Sequence, residues 1–282
     1  MALKPVHTEC ILINNWPPAY YEASGRGVPL PNHASLTSKI ALMAFEDRFK
    51  VLENILCKAG IKVDVEGLVE AISLLHDVGK ASKYYYCKPL RHTKMSFKLH
   101  EYVPSLLLAY KAHESDNVFE KQVLKLVGKV ISRHHTAMRE RHPQNLGQQD
   151  LGEIVKILKE FLENRDLVLK LLSELRKSCT RGNTCQSIID NFANYLKNLD
   201  SVGKAFSDVQ SVNIYRRMLA NIGNIHEYKA VAGLTGVLIV ADNVAASCEG
   251  RVSDDEKTPS YTSYWIRELG LDKGRLSEIC KG

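Results

Sequence analysis

Apolar positions recur at steps of three and four along almost the whole chain after residue 35, the period of an amphipathic helix rather than the alternation of a strand. The segment LTSKIALMAFEDRFKVLENILCKAG carries one such stripe and stops at Gly60, a residue suited to a helix end. The same spacing predicts helices over about 64–78, 105–114, 118–136, 150–178, 185–199, 203–223, 227–247 and 262–270. Residues 1–31 break the pattern. TECILINN reads as a short strand, and the following WPPAYYEASGRGVPLPN, rich in Pro and Gly, reads as a wandering surface loop. The expected fold class is all-α with a short β element near the N-terminus. The expected organisation is a single domain over 1–282, with 1–31 irregular and 150–225 a candidate helical insertion.

Against this background, polar residues stand out where they occupy the apolar stripe. Counting back from His76 in AISLLHDVGKASKYYY by helical steps gives Ile72 and Leu68, so the imidazole projects inward, with Asp77 beside it. A core histidine bonded to a backbone carbonyl, with Asp77 exposed, is the plainer alternative. In SRHH, His134 follows Val130 and His135 follows Ile131, each by four residues; a surface pair would more naturally follow polar positions. Asp242 in VLIVADNVAAS follows Leu234 and Leu238, and a carboxylate there must be protonated, ion-paired or bound to a cation. His33 at the start of the first helix and His100 before Pro104 are individually ordinary helix-flanking histidines. His92 is the substitute should His100 not serve.

Composition changes this picture little. Of 282 residues, 45% are hydrophobic and 25% charged, the proportions of an ordinary globular protein. No window approaches the roughly 20 consecutive apolar residues of a membrane span, and MALKPVHTECILINNW lacks a signal-peptide layout, so a cytoplasmic location is expected. Seven scattered cysteines suggest reduced thiols, except that Cys179 and Cys185 flank TRGNT and could meet in an oxidising or hot setting. A net charge of +6 is compatible with a polyanionic partner without requiring one.

Taken together, the five histidines and two aspartates form a ligand set suited to borderline divalent metals and too large for one tetrahedral ion. Two ions are therefore expected. Asp77, with two oxygens, could bridge a pair roughly 3.5–4 Å apart, the arrangement used to attack phosphate esters.

The order His33, His76 and Asp77, His100, His134 and His135, Asp242 resembles that of the HD phosphohydrolase superfamily. HDVGKASKYYY, KLHE, SRHH and LIVADNVAAS are similar, more narrowly, to the HD nuclease of type I CRISPR interference. The resemblance implies that His33, His76, Asp77 and Asp242 hold one ion and that His100, His134 and His135 hold the other, with Asp77 shared. It also implies a catalytic role for Asp77, and for Lys80 in stabilising charge on the scissile phosphate. Manganese is the first expectation, with nickel, cobalt, iron and magnesium open. No GxxxxGK[ST] occurs, and only 35 residues follow Ser247, so a stand-alone subunit is expected, partnered by a separate CRISPR-associated helicase and a crRNA-guided effector complex.

Lys83, Lys88, Arg91, Lys94 and Lys98 interleave with Tyr84, Tyr85 and Tyr86, while Arg133, Arg139 and Arg141 flank the tandem histidines. Cations that track a phosphate backbone and rings that stack on unpaired bases favour single-stranded DNA, with Lys83, Tyr84, Arg133 and Arg139 the leading contacts. The plainer alternative is that the tyrosines are core and the charges solubilising. Two other functions remain open: a nucleotide phosphohydrolase acting on free dNTPs or cyclic nucleotides, and a non-catalytic subunit stabilised by metal.

Overall fold

The computed structural model describes residues 10–22, 24–87, 95–135, 141–197, 206–250 and 280. It opens with a two-stranded antiparallel hairpin, β1 (Pro18–Tyr21) and β2 (Gly27–Pro29), followed by eleven helices. These are α1 (Leu30–Ala44), α2 (Phe49–Lys58), α3 (Val65–Leu75), α4 (Lys83–Tyr86), α5 (Tyr102–Glu114) and α6 (Val118–Ile131). They continue with α7 (Gln148–Glu163), α8 (Arg165–Lys177), α9 (Gly182–Lys197), α10 (Val209–Ala220) and α11 (Ile225–Cys248). The all-α expectation with a short N-terminal β element holds.

The hairpin lies in the stretch expected to be loop, while TECILINN contributes no strand among the described residues, only an isolated bridge from Ile13 to Trp16. Ala19 of β1 is buried, so this segment belongs to the core wall.

The core is built on α3, whose face Leu68, Ile72 and Leu75 is fully enclosed by α1, α6, α9 and α11. Asp64 caps α3 by accepting from the amides of Glu66 and Gly67, fixing where the helix starts and hence where its last turn points. At the other end of the site, α11 carries Leu234, Leu238 and Ala241 into the same core. By length and average composition alone α11 could cross a bilayer, although it holds no run of roughly 20 consecutive apolar residues. In this fold it packs against α1, α2, α3 and α6.

Three boundaries differ instructively. The stripe at 36–60 is two helices, separated by a 3-10 turn over Glu46–Arg48. The expected helix over 118–136 stops at Ile131, where the amides of Arg133 and His134 switch to carbonyls three residues back, tightening the end into a turn. The run 150–178 is broken at Asn164, whose side-chain amide donates to Ala81 O at 2.8 Å and Tyr86 Oη at 2.6 Å. The first part of the candidate insertion thus braces the segment after the HD pair. The helix expected over 262–270 lies outside the described residues.

The cysteine reading is corrected. Cys179 pairs with Cys185 as the spacing allowed, but Cys10 also pairs with Cys87 and Cys248 with Cys280, leaving Cys57 free and exposed.

Candidate metal centre

Each site residue stands where a helix begins, ends or crosses the centre. His33 occupies the first turn of α1, and His76 caps the end of α3. Asp77 opens the 3-10 turn Val78–Ala81, His100 precedes α5, and His134 and His135 follow α6. Asp242 lies in the second half of α11. All seven converge.

Asp77 is the hub. Its Oδ2 faces His76 Nε2 at 3.4 Å and His33 Nε2 at 3.5 Å, while Oδ1 faces His100 Nε2 at 2.7 Å and His134 Nε2 at 3.9 Å. Asp242 Oδ1 closes the first group, 3.0 Å from His33 Nε2 and 3.7 Å from His76 Nε2. His135 closes the second, its ring centroid 3.9 Å from that of His134 and 5.1 Å from that of His100. The ligand atoms of His33, His76 and Asp242 lie within 4.8 Å of one another, as do those of His100, His134 and His135, and those of His76, Asp77 and His134.

The rings are aimed. The Nδ1 atoms of His76, His100 and His134 contact the carbonyls of Ser73, Phe97 and Ile131, each three residues upstream, at 2.7, 2.5 and 2.7 Å. A carbonyl can only accept, so Nδ1 carries the proton and Nε2 keeps a lone pair turned inward. Among the described residues, Nε2 of His134 and His135 has no hydrogen-bond partner, while Nε2 of His76 and His100 turns to the carboxylates of the site. Buried imidazole nitrogens turned inward around two carboxylates make a donor set that fits divalent cations.

Electrostatics agree with that fit. Burial alone would raise the Asp77 carboxyl, but His76, Lys80 and His100 outweigh it and hold Asp77 well below the usual carboxylate range. Asp242, whose side chain is 20% exposed, is likewise held well below, its desolvation outweighed by His33 and His76. Burial, followed by the neighbouring imidazoles, pushes His134 and His135 well down, keeping them neutral. His76 moves the other way, because Asp77 and Asp242 outweigh its burial. The carboxylate pair thus holds positive charge close by, a role that a divalent ion takes over by displacing the proton.

The turn that carries Asp77 is locked from two sides. A Cβ at Gly79 would lie 2.0 Å from the carbonyl oxygen of His100, so only glycine lets these segments touch. Leu99, immediately before His100, is held at φ 67°, a left-handed conformation unusual for leucine. Lys80 Nζ donates to Asp77 Oδ2 at 2.5 Å and to Ala19 O at 3.1 Å.

Two supporting carboxylates escaped the sequence reading. Glu101, fully buried, forms a two-pronged ion pair with Arg141, whose carbonyl accepts from Tyr102 Oη at 2.6 Å. Glu249 contacts His33 Nδ1. Neither interrupts an apolar stripe, although Glu249 falls seven residues after Asp242 and so on the same helical face.

The proposed nucleic-acid contacts divide. Lys83 is exposed, and Tyr84, half-buried, donates to Glu153 at 2.9 Å, with its hydroxyl pushed up to about 12 by burial and by that carboxylate. Arg133 is turned inward, donating to the carbonyls of Lys129 at 2.9 Å and Ala220 at 3.3 Å, which makes it an internal brace rather than a surface contact. Arg141 is engaged by Glu101, and Tyr85 and Tyr86 are core residues, so stacking by all three tyrosines is also corrected. Arg139, Lys88, Arg91, Lys94 and His92 lie outside the described residues.

Comparison with curated proteins finds a 103-residue stretch 30% identical to the CRISPR-associated endonuclease Cas3-HD of Saccharolobus solfataricus. The match covers 33% of this chain and 43% of that relative, less than half its length. No family model matches the chain, and no solved structure matches it significantly. The similarity supports a relationship to HD-type CRISPR-associated nucleases.

Proposed function

We propose that the chain is a metal-dependent HD-type deoxyribonuclease that hydrolyses phosphodiester bonds of single-stranded DNA in type I CRISPR interference. It works in the cytoplasm with a separate helicase and a crRNA-guided effector complex. The reading rests on Asp77, whose two carboxylate oxygens turn to two different histidine groups. Three disulfides suit a cytoplasm of the kind that sustains them, as in hyperthermophiles.

When bound, divalent cations supply activation of water near neutral pH and neutralise charge on the phosphodiester. The residues of the chain do the rest. His33, His76, Asp77 and Asp242 would hold one ion, and His100, His134 and His135 the other, with Asp77 shared and manganese the first candidate. Lys80 keeps its ammonium against Asp77, where it adds positive charge beside a developing phosphate anion. Lys83 and Tyr84, with Arg139, would guide an unpaired strand toward the centre.

The test combines elemental analysis of purified protein with a cleavage assay on labelled single-stranded DNA in added manganese. Metal bound at two ions per chain, cleavage abolished by chelator, and cleavage lost in Asp77→Ala are expected. Cleavage indifferent to chelator would overturn the reading, and phosphate release from dNTPs without cutting of oligomers would move it to the nucleotide phosphohydrolases.

A further inference from the structure

Asp242 and Glu249 are seven residues apart, two turns along α11 and its cap, so both carboxylates leave one face of the helix. The imidazole of His33 lies between them. Its Nε2 is 3.0 Å from Asp242 Oδ1, and its Nδ1 is 3.1 Å from both oxygens of Glu249. His33 is completely buried and the Glu249 side chain is 8% exposed, so water competes little for this contact. Arg26 Nη2 donates to the Glu249 carbonyl at 2.8 Å, pinning the end of α11 against the hairpin.

This contact differs in kind from those of the other rings. His76, His100 and His134 present Nδ1 to neutral carbonyls of their own turns, with Glu101 Oε2 a further 3.6 Å neighbour of His100 Nδ1. The hydrogen-bond contacts of His33 Nδ1 are instead to a carboxylate, 216 residues away. A carboxylate accepting from one imidazole nitrogen fixes the tautomer and increases the donor strength of the other.

We propose that Glu249 is a positioning residue for the ion held by His33, His76, Asp77 and Asp242. The inference rests on the metal-dependent reading above. Glu249 holds a proton on His33 Nδ1, which orients the ring with Nε2 toward Asp77 and Asp242, and its negative charge would strengthen Nε2 as a ligand to a cation there.

The experiment titrates manganese alone into metal-stripped wild type, Glu249→Gln and Glu249→Asp by calorimetry, and reads the His33 ring nitrogens of metal-free protein by 15N NMR, with Glu249→Leu added. Wild type should bind two ions per chain. Glu249→Gln, nearly isosteric, should weaken one of them by roughly 10–100-fold while leaving the other unchanged, and Glu249→Asp should recover part of the loss. In the NMR spectra, His33 Nδ1 should carry a proton in the wild type and lose it in Glu249→Leu. Unchanged affinity for both ions in Glu249→Gln would overturn the proposal. If wild type takes up no manganese, the metal-dependent reading falls, and a wild-type His33 whose Nδ1 carries no proton would independently remove the positioning role. Thermal unfolding of each metal-free variant separates these outcomes from a general loss of fold.

Discussion

Gly79 and His100 touch through their backbones, so the turn that presents Asp77 and the turn that presents His100 are set against each other without an intervening side chain. Gly79→Ala should force the two apart. Overpacking of this kind costs about 1–3 kcal/mol, and a lowered urea midpoint together with loss of bound metal is the expected result. An alanine variant with unchanged midpoint and full metal content would show that the contact is slack.

Glu101 and Arg141 tie the segment around His100 to the chain beyond His135. Glu101→Ala removes the carboxylate from a buried ion pair with Arg141, a loss of about 3–5 kcal/mol. Chemical denaturation should show that loss, and manganese titration should show weakened uptake as the support beside His100 is lost.

Acid should destabilise the metal-free protein. His134 and His135 are held down in the folded chain, so their contribution is intact above the unfolded value of about 6.5 and is lost as the pH falls below it. There the unfolded chain takes up protons that the folded chain refuses, each worth up to about 1.4 kcal/mol per pH unit. His76, raised when folded, contributes stability that is full below about 6.5 and fades as the pH rises through its folded value, so it does not offset the acid loss. Asp77 and Asp242, held well below the carboxylate range, add a second loss below about pH 4. Urea midpoints measured in chelator should therefore fall from about pH 6.5 to 5; a rise over that window would contradict this account.

Alkylation of the unreduced protein followed by mass spectrometry should label Cys57 alone. The Cys10–Cys87 bridge spans a sequence separation of 77 residues, and releasing such a loop costs roughly 4 kcal/mol on the chain-entropy view, so reductant should lower the melting midpoint. Seven labelled cysteines would refute the pairing.

The convergence of the site was legible where its members occupy positions that helical spacing reserves for apolar residues, as His76, His134, His135 and Asp242 do. By contrast, His33 and His100 stood out only in company with them. His76 after Ile72, His134 after Val130 and Asp242 after Leu238 could not face the core without a compensating partner, and the structure brings them together. Its support was harder to see. Glu101 sits in KLHE as an ordinary charged neighbour, and nothing local announces that Arg141 folds back onto it. The helix break at Asn164 was hidden for a similar reason, since the apolar stripe continues through it and only contacts with Ala81 and Tyr86 explain the interruption. The bridges from Cys10 and Cys248 join distant segments, and sequence separation alone carries no information about which thiols meet.

Three of the five imidazoles take their direction from carbonyls within the same turn, a constraint complete as soon as that turn closes. Folding therefore moulds the socket before any guest arrives. The slow step of capture should then be the shedding of water by the incoming ion, not rearrangement of the polypeptide around it.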